Sequence, residues 1–359
     1  MTVLYLCDQD LDNGSGVSQK IMMQAKQWHR EGHEVKLLSL ISLSYFSAEG
    51  ERLTPPRLHV RRRGFGIFAH LLAGSRKLGA LLQDESFDLV YMRYRLYSPF
   101  FKAALGGAPQ VVEINSDDRG EYRRGASKLL AGYNRLFRSR FLGGADAFVC
   151  VSRELARMVA PFGKPSAVIA NGVDTALFPF APQSGTVRPS LVFIGSKGQP
   201  WHGVGKIEGL ARRMPDFDFH IVGTEGTDGA NLFYHGFMPP ERNREFIPRH
   251  DVGIGTLSLY ENGMEEASPL KTRQYLAQGL PILYAYEDTD LPPDAPFALR
   301  LPNTPGNTEA AAARIEAFVR RAYHDAALRR EARAFAEAVL DVRVKERRRL
   351  DFFAEVLAG

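Results

Sequence analysis

Residues 266–281 read Glu-Ala-Ser-Pro-Leu-Lys-Thr-Arg-Gln-Tyr-Leu-Ala-Gln-Gly-Leu-Pro. This stretch offers a carboxylate at Glu266, a cation at Lys271 and an amide at Gln274, followed by a glycine-proline exit of the kind that ends a helix. Because carboxylates suit sugar hydroxyls and a lysine suits phosphate, the stretch is a candidate site for an activated sugar. Alone, it is equally compatible with the solvated face of a charged helix.

The size and composition of the chain predict a folded protein of two domains. It has 359 residues, of which 45% are hydrophobic and 24% are charged. The net charge of +5 favours an anionic partner without selecting among nucleotides, phospholipid headgroups and nucleic acid. Cys7 and Cys150 lie in apolar runs, which predicts buried thiols and a reducing compartment.

The chain shows no signal for secretion or for crossing a membrane. It begins with an apolar strand pattern at residues 3–7 instead of a basic region, and no uninterrupted apolar run reaches about 18 residues. We therefore expect a cytoplasmic protein. Residues 61–82 and 128–142 mix apolar and basic side chains, which favours peripheral contact with the inner face of a membrane; helices that cover a sheet are an equal alternative.

Short apolar runs alternate with helical periodicity, which is typical of an α/β protein with parallel sheets covered by helices. A segment rich in Pro, Ser and Gly at residues 180–190 predicts the domain boundary. The basic cluster at residues 343–349 is interpreted as a solvated helix face, since acidic residues interrupt it. The predicted strands are 3–7, 34–40, 58–62, 89–92, 111–114, 147–151 and 167–170 before the boundary, and 191–195, 218–222, 232–235, 252–255 and 281–285 after it.

A small-residue loop separates the first strand from the first helix and ends in Gly14-Ser15-Gly16. Such a loop lets backbone amides approach an anion at a helix N-terminus. It is a poor dinucleotide fingerprint, because Gln19 occupies the third glycine position and the second strand ends without an acidic residue. These departures count against a nicotinamide dehydrogenase.

The order of five motifs along the chain resembles glycosyltransferase family 4, which has the GT-B fold. They are Gly14-Ser15-Gly16, Gly32-His33-Glu34-Val35, the strand at 145–152, Asn171-Gly172-Val173-Asp174 and the stretch 266–281. The resemblance implies two Rossmann-like doubly wound domains that face each other across a cleft. It implies an acceptor-side domain at 1–182, a nucleotide-sugar domain at 187–340, and a helix at 341–359 that packs back on the first domain.

The resemblance also implies a donor site. The family places one carboxylate on the sugar and a second on the ribose, and these positions hold Glu266 and Gln274 here. The phosphate loop departs from the family pattern, with Ser196 and His202 where Arg and Lys are usual, so Lys271 is preferred as the phosphate contact. We expect catalytic roles for Glu266 and Lys271, and donor contacts from Gly16, Ser196, Lys197, His202, Phe237, Met238, Ser268, Leu270 and Gln274.

Local alternatives remain open for several of these residues. Lys271 could be a surface lysine, and His202 an ordinary loop histidine. Phe237 and Met238 could pack in a core instead of stacking on a base. From local physics alone, Asn171-Gly172 reads as a turn.

The implied activity is retaining transfer of a sugar from a nucleoside diphosphate sugar to a hydroxyl, in surface glycan or glycoconjugate synthesis. The acceptor could be a glycan, a lipid-linked molecule or a small molecule, with Glu113 and Asn115 facing it. We expect no metal or cofactor, because the Asp-x-Asp pattern recurs by chance and no histidine has ligand spacing. We also expect no nucleic-acid partner. A nucleotide-sugar epimerase, or a non-catalytic sugar-nucleotide-binding protein, stays open as an alternative.

Overall fold

The computed structural model describes residues 1–58, 66–125 and 128–359, and its chain divides into two compact units. Unit 1 comprises Met1–Ile169 together with Glu346–Gly359, and unit 2 comprises Ala170–Lys345. Each unit is built on its own mainly parallel sheet.

The sheet of unit 1 has the strand order β3-β2-β1-β4-β5-β6-β7. The pairs are parallel except for β2 with β3. Because β1 lies between β2 and β4, the winding reverses there, and ligands of such sheets bind outside the carboxyl ends of the strands at this point. The strands are β1 (Thr2–Cys7), β2 (Glu34–Ser39), β3 (Ser44–Phe46), β4 (Leu89–Arg93), β5 (Gln110–Ile114), β6 (Ala147–Cys150) and β7 (Ser166–Val168). The helices are α1 (Gly16–Arg30), α2 (Gly66–Leu82), α3 (Phe101–Ala104), α4 (Asp118–Gly125), α5 (Lys128–Gly144) and α6 (Arg153–Val159).

An aromatic cluster forms the centre of the unit 1 core. Trp28 of α1 is fully buried, and its ring lies 5.4 Å from Tyr5, 5.3 Å from Tyr91 and 5.4 Å from Phe353. Its indole N–H donates to Glu346, with 2.8 Å between the heavy atoms. The packing of these buried rings and the hydrogen bond of the indole N–H therefore hold α13 against α1 and the sheet of unit 1.

Unit 2 repeats the architecture with a six-stranded parallel sheet in the order β10-β9-β8-β11-β13-β15. A separate parallel pair, β12 with β14, lies outside this sheet. The strands are β8 (Ser190–Ile194), β9 (Asp218–Val222), β10 (Leu232–Tyr234), β11 (Val252–Ile254), β12 (Glu266–Ala267), β13 (Ile282–Tyr284), β14 (Glu287–Asp288) and β15 (Ala298–Arg300). The helices are α7 (Val204–Arg213), α8 (Pro240–Phe246), α9 (Leu270–Ala277), α10 (Asn307–Ala310), α11 (Ala312–Ala322), α12 (Ala326–Phe335) and α13 (Val342–Ala358), the last of which continues into unit 1.

Two sequence predictions about these elements need comment. The solvated-face interpretation of residues 343–349 is wrong for Lys345, Glu346 and Arg349, each of which is only 1% exposed and ion-paired. A run of charged residues in the sequence does not show which of the side chains face solvent and which are buried. The predicted strand at 58–62 lies outside the described residues except for Leu58, which is buried outside any strand. Both cysteines are buried free thiols, as predicted.

Three histidines are packed together at the β9 and β10 side of the unit 2 sheet. His220 Nδ1 lies 3.0 Å from His235 Nε2, and the His220 ring lies 4.5 Å from that of His250. Burial lowers the pKa of His220 to about 4, with the neighbouring His235 adding to the effect. Burial and neighbouring cationic groups, among them Arg329, hold the pKa of His250 well below its usual value. Burial also lowers the pKa of His235, against a small opposing effect of Asp228.

We expect this histidine cluster to make unit 2 sensitive to acid. A depressed folded-state pKa means that the unfolded chain takes up protons first, so stability present above about pH 6.5 is lost as the pH falls toward about 4. The variant His220→Phe keeps a ring in the stack without a titrating group. Urea midpoints measured between pH 7.5 and 4 should fall less for this variant than for the wild type; parallel curves would refute the assignment.

Candidate functional site

Glu266 lies on a short strand and not on a helix. Strand β12 pairs with β14 so that Glu266 faces Glu287 in the register, and Glu266 is only 4% exposed. Pro269, two residues after the end of β12, has an extended conformation and forms the N-cap of α9. A proline disfavours helix at the residue before it, which explains why α9 begins only at Leu270.

The ammonium group of Lys271 is buried without a counter-ion among the residues that the structure describes. Within the described part of the chain, nothing forms a hydrogen bond with its Nζ, which lies 4.2 Å from the centre of the Phe193 ring. Burial lowers the pKa of Lys271 to about 7. A desolvated cation with unused donors is costly by itself, and an incoming anion would satisfy it.

His202 lies beside Lys271 as a neutral imidazole. Its ring packs 5.4 Å from Phe193, and no partner among the described residues reaches its Nδ1. Burial, together with the charge of Lys271, lowers the pKa of His202 to about 3. His202 therefore does not supply the positive charge that the family usually places at this position, although its ring N–H can donate a hydrogen bond.

The loop after β8 comes close to the loop after β9. A Cβ built on Gly195 would lie 2.8 Å from His202 Nδ1, and one built on Gly223 would lie 1.9 Å from the carbonyl oxygen of Gly195. Only glycine fits at either position. Ser196 and Lys197 extend into solvent beyond this contact, and Lys197 forms an exposed ion pair of 3.0 Å with Glu225.

The remaining predicted donor residues differ in exposure. Phe237 is 85% exposed, which leaves a flat aromatic surface open for stacking, whereas Met238 is 6% exposed and belongs to the core. Leu270 and Gln274 are half-buried on α9. Stacking of Phe237 on a base stays a prediction, whereas Met238 packs in the core.

Asn171 holds the turn between Glu266 and Lys271 in place. Its backbone N–H donates to Ser268 Oγ at 2.7 Å, and its side-chain Nδ2 donates to the Ser268 carbonyl at 2.6 Å. Ser268 lies between Glu266 and Lys271 in sequence, so this clamp fixes the turn that connects them. The sequence motif predicted a turn at Asn171 but could not show its partner, which is 97 residues away.

A buried ionic network supports the same turn. Arg273 is fully buried, forms a bidentate pair with Asp288, and donates through Nε to the carbonyl of Asn171 at 3.3 Å. Asp290 lies 3.2 Å from Arg273 and 2.6 Å from Lys345. Because breaking a buried ion pair leaves an uncompensated charge, this network makes the turn rigid.

We expect Asn171→Ala to lower kcat/KM for the donor about tenfold, since it removes the half-buried hydrogen bond to the Ser268 carbonyl, worth about 1–1.5 kcal/mol, and loosens the turn. Ser268→Ala removes the other bond of the clamp, in which Ser268 Oγ accepts from the backbone N–H of Asn171, and should lower kcat/KM as well. Steady-state kinetics with the best donor measure both losses. An unchanged kcat/KM in both variants would contradict the clamp.

The predicted residues of unit 1 lie at the carboxyl end of its sheet. Gly16 is the exposed first residue of α1, whose N-cap is Ser15. Glu113 is fully buried on β5, where Lys20 Nζ approaches it to 2.9 Å and Asn115 Nδ2 donates to it at 2.9 Å. Lys20 also donates to Asn115 Oδ1 at 2.7 Å. Glu113 is therefore occupied by internal partners, and sequence reasoning missed Lys20.

Most of unit 1 matches a known protein family. Residues 14–177 match the family model described as Glycosyltransferase Family 4. The greater part of the first unit is therefore similar to glycosyltransferase family 4. No curated protein matches the sequence.

Solved structures of glycosyltransferases share the fold over the whole chain. Sucrose-phosphate synthase from Thermosynechococcus elongatus superposes with a TM-score of 0.76 at 13% identity, covering 100% of both chains. The catalytic domain of starch synthase IV from Arabidopsis thaliana, bound to ADP and acarbose, gives 0.72 at 12% identity and 100% of both chains. HepE from Anabaena, in complex with UDP, gives 0.65 at 14% identity, covering 99% of this chain and 100% of HepE. The GT-B fold class and the family resemblance predicted from the sequence are confirmed.

The described residues of this glycosyltransferase contain neither a group of metal ligands nor a membrane-spanning helix. No three His, Cys, Asp or Glu side chains within 1–58, 66–125 and 128–359 are grouped so that they could hold a metal ion. In the same ranges, none of the helices has the length and apolar character needed to cross a membrane. Metal independence, the cytoplasmic location and peripheral membrane contact stay predictions. Of the first predicted membrane segment, residues 61–65 lie outside the described ranges.

Proposed function

We propose that this glycosyltransferase moves a sugar from a nucleoside diphosphate sugar to an acceptor hydroxyl, with retention and without a metal. The observation that carries the proposal is the buried ammonium of Lys271, which lacks a counter-ion among the described residues and lies five residues after the buried carboxylate of Glu266. The ammonium of Lys271 suits an anion, and the carboxylate of Glu266 suits the hydroxyls of a sugar.

In the proposed reaction, the bond between the anomeric carbon and the diphosphate oxygen breaks, and its electrons leave with the diphosphate. Lys271 stabilises the negative charge that develops there, and Glu266 orients the sugar through its hydroxyls. The acceptor oxygen bonds to the anomeric carbon on the face that the diphosphate leaves. Its proton passes to a phosphate oxygen of the leaving group, so no side chain has to act as base.

Phe237 and Gln274 complete the proposed donor site. The exposed ring of Phe237 offers a face for the base, and Gln274 offers both a donor and an acceptor to the ribose. HepE, whose solved complexes contain UDP and UDP-glucose, and the ADP-bound starch synthase share the fold and support a donor of this class.

Screening of nucleotide sugars tests the proposal. A donor that binds the folded protein should raise its melting temperature, and the best donor should be hydrolysed slowly without an acceptor and faster with one. NMR of the product should show the anomeric configuration of the donor, with rates unchanged by EDTA. Turnover of the sugar nucleotide to an epimer would support the epimerase instead. Binding with neither hydrolysis nor transfer would support a non-catalytic protein.

A further inference from the structure

Four large apolar side chains are exposed on neighbouring helices of unit 1, and we call them the apolar patch. Leu72 on α2 is 39% exposed, and Phe100, the residue before α3, is 57% exposed. Leu129 and Leu136 on α5 are 48% and 72% exposed. Single exposed leucines are ordinary, whereas apolar side chains that cluster on the surface mark an interaction site.

Contacts between side chains bring the elements of the apolar patch together. The Phe68 ring of α2 lies 4.9 Å from the Tyr133 ring of α5. The Tyr133 hydroxyl donates to the carbonyl of Tyr97 at 3.0 Å, which ties α5 to the loop before α3. Leu72 follows Phe68 by one helical turn, and the two exposed leucines of α5 lie about one turn on either side of Tyr133. The leucines therefore flank the contact between the two helices.

Phe100 is held at the surface in a left-handed backbone conformation. Its φ is 65°, which residues other than glycine rarely adopt. The Arg76 guanidinium lies 5.4 Å from the centre of its ring, one helical turn after Leu72 on α2. Backbone outliers of this kind cluster at binding sites, where an unusual conformation presents a side chain to a partner.

The charges beside the apolar patch are positive. The sequences of α2 and α5 contain no Asp or Glu. Their exposed cations, none of which forms an ion pair with the residues that the structure describes, are Arg76, Lys77, Lys128, Arg135 and Arg140. A surface that combines exposed cations with exposed apolar side chains is complementary to an anionic lipid surface.

The positive charge of the whole chain is concentrated in this region. Residues 66–144 contain 12 Lys and Arg against 7 Asp and Glu, and none of these carboxylates lies on α2 or α5. This excess of five equals the formal net charge of the chain, which is +5. The rest of the chain is therefore neutral overall, and electrostatic attraction to an anionic surface would turn this side of unit 1 toward it.

We propose that the apolar patch and the cations beside it dock unit 1 on the surface of an anionic lipid bilayer. The apolar side chains enter the boundary between headgroups and acyl chains, while the cations contact the anionic headgroups. A nucleic acid would engage the cations and leave the leucines in water, whereas a bilayer engages both. None of the described helices can span a bilayer, so the contact is peripheral. Docking needs neither a donor nor an acceptor and is independent of the proposed function.

Co-sedimentation of the full chain with lipid vesicles tests this docking surface. We expect vesicles of equal parts phosphatidylcholine and phosphatidylglycerol to bind the protein at least about tenfold more tightly than vesicles of phosphatidylcholine alone. Binding should weaken as the salt concentration rises, because salt screens exposed charges. Equal binding to the two kinds of vesicle would reject an anionic partner.

Two variants separate the apolar contribution from the charged one. Leu136→Gln should weaken binding to the anionic vesicles about tenfold, and Arg135→Gln about fivefold. Leu357→Gln on α13 and Arg30→Gln on α1 are the matched controls, since they change an exposed leucine and an exposed arginine of unit 1 outside the patch. Unchanged binding of Leu136→Gln, or equal losses in the controls, would overturn the assignment, provided that the variants keep wild-type circular dichroism.

Phe100→Trp reports insertion directly. Its fluorescence should shift to shorter wavelength when anionic vesicles are added, and brominated lipid should quench it more than it quenches the wild type. Emission that does not change on binding would show that the ring stays in water and would reject insertion.

The remaining outcomes identify a different occupant. If Leu136→Gln converts a dimer into a monomer in analytical ultracentrifugation and vesicles do not bind, the apolar patch is an interface between copies of this chain. If the protein binds an oligonucleotide but no vesicle, and Arg135→Gln weakens this binding, the partner is a nucleic acid. Vesicle binding without turnover of any nucleotide sugar rejects the proposed function and leaves the docking surface in place, and sugar transfer without vesicle binding does the reverse.

Discussion

Glu266→Ala is expected to lower the transfer rate about 100-fold or more, while the affinity for the nucleoside diphosphate changes little. The carboxylate is 96% buried and held on β12, so it is positioned to orient sugar hydroxyls in the transition state. A 100-fold loss corresponds to about 2.7 kcal/mol of transition-state stabilisation. Steady-state kinetics with the best donor, together with calorimetry of the free nucleotide, measure the two quantities separately.

Glu287→Ala provides the matched control for this experiment. Glu287 is the register partner of Glu266, but its side chain is 64% exposed and pairs with the surface residue Arg300. Exposed ion pairs contribute little, so this variant should keep near-wild-type activity. Equal losses in the two variants would mean that β12 has a structural role only. Near-wild-type activity of Glu266→Ala would remove Glu266 from the site.

Lys271→Met is expected to weaken nucleoside diphosphate binding by about 1.5–3 kcal/mol, the scale of a charge-assisted hydrogen bond. The same variant should not reduce the stability of the free protein, since it replaces a buried cation without a described counter-ion by an apolar chain of similar length. Calorimetry and urea unfolding measure these two effects. A loss of stability with unchanged affinity would show that Lys271 is structural.

The pH dependence of nucleotide binding gives a second test of Lys271. Burial lowers the pKa of Lys271 to about 7, so above this pH the side chain is mostly a neutral amine. This amine must take up a proton when the diphosphate binds. Affinity should therefore fall as the pH rises from 7 to 9, with proton uptake visible in buffers of different ionisation enthalpy. In Lys271→Met this dependence should disappear.

Lys197→Ala is the comparison that separates two candidate cations. Lys197 is exposed and already paired with Glu225, so its loss should weaken nucleotide binding less than the loss of Lys271. A larger effect of Lys197→Ala would make the loop after β8 the phosphate contact.

The long strands were predictable from the sequence because their apolar runs are local. The runs at 3–7, 89–92 and 111–114 correspond to β1, β4 and β5. Strands β3, β12, β14 and β15 have two or three residues each and were not predicted. Strands β7, β10, β11 and β13 are equally short but were predicted, because each lies within a longer, mostly apolar run of the sequence. Glu266 was therefore recognised as part of a motif, but the strand that carries it was not.

Among the site residues, those in short local motifs were predictable from the sequence and those with distant partners were not. Glu266, Lys271 and Asn171 belong to short motifs and were visible in the sequence, although Asn171 was interpreted only as a turn. Arg273 and Lys20 were missed, because their partners Asp288 and Glu113 lie 15 and 93 residues away. Pairing at such separations depends on which helix faces pack on which strands, which no local pattern encodes.

The sequence by itself determined the fold class, the family and the residue types of the donor segment, because motif order and apolar periodicity are properties of the chain. Only the tertiary structure decided the chemical state of those residues. It leaves Lys271 desolvated without a described counter-ion, keeps His202 neutral, and surrounds Glu113 with cations. The physical reason is that solvation and charge pairing depend on neighbours in space. The sequence made Lys271 a candidate phosphate contact, and the structure adds that its ammonium is buried with no hydrogen-bond partner among the described residues.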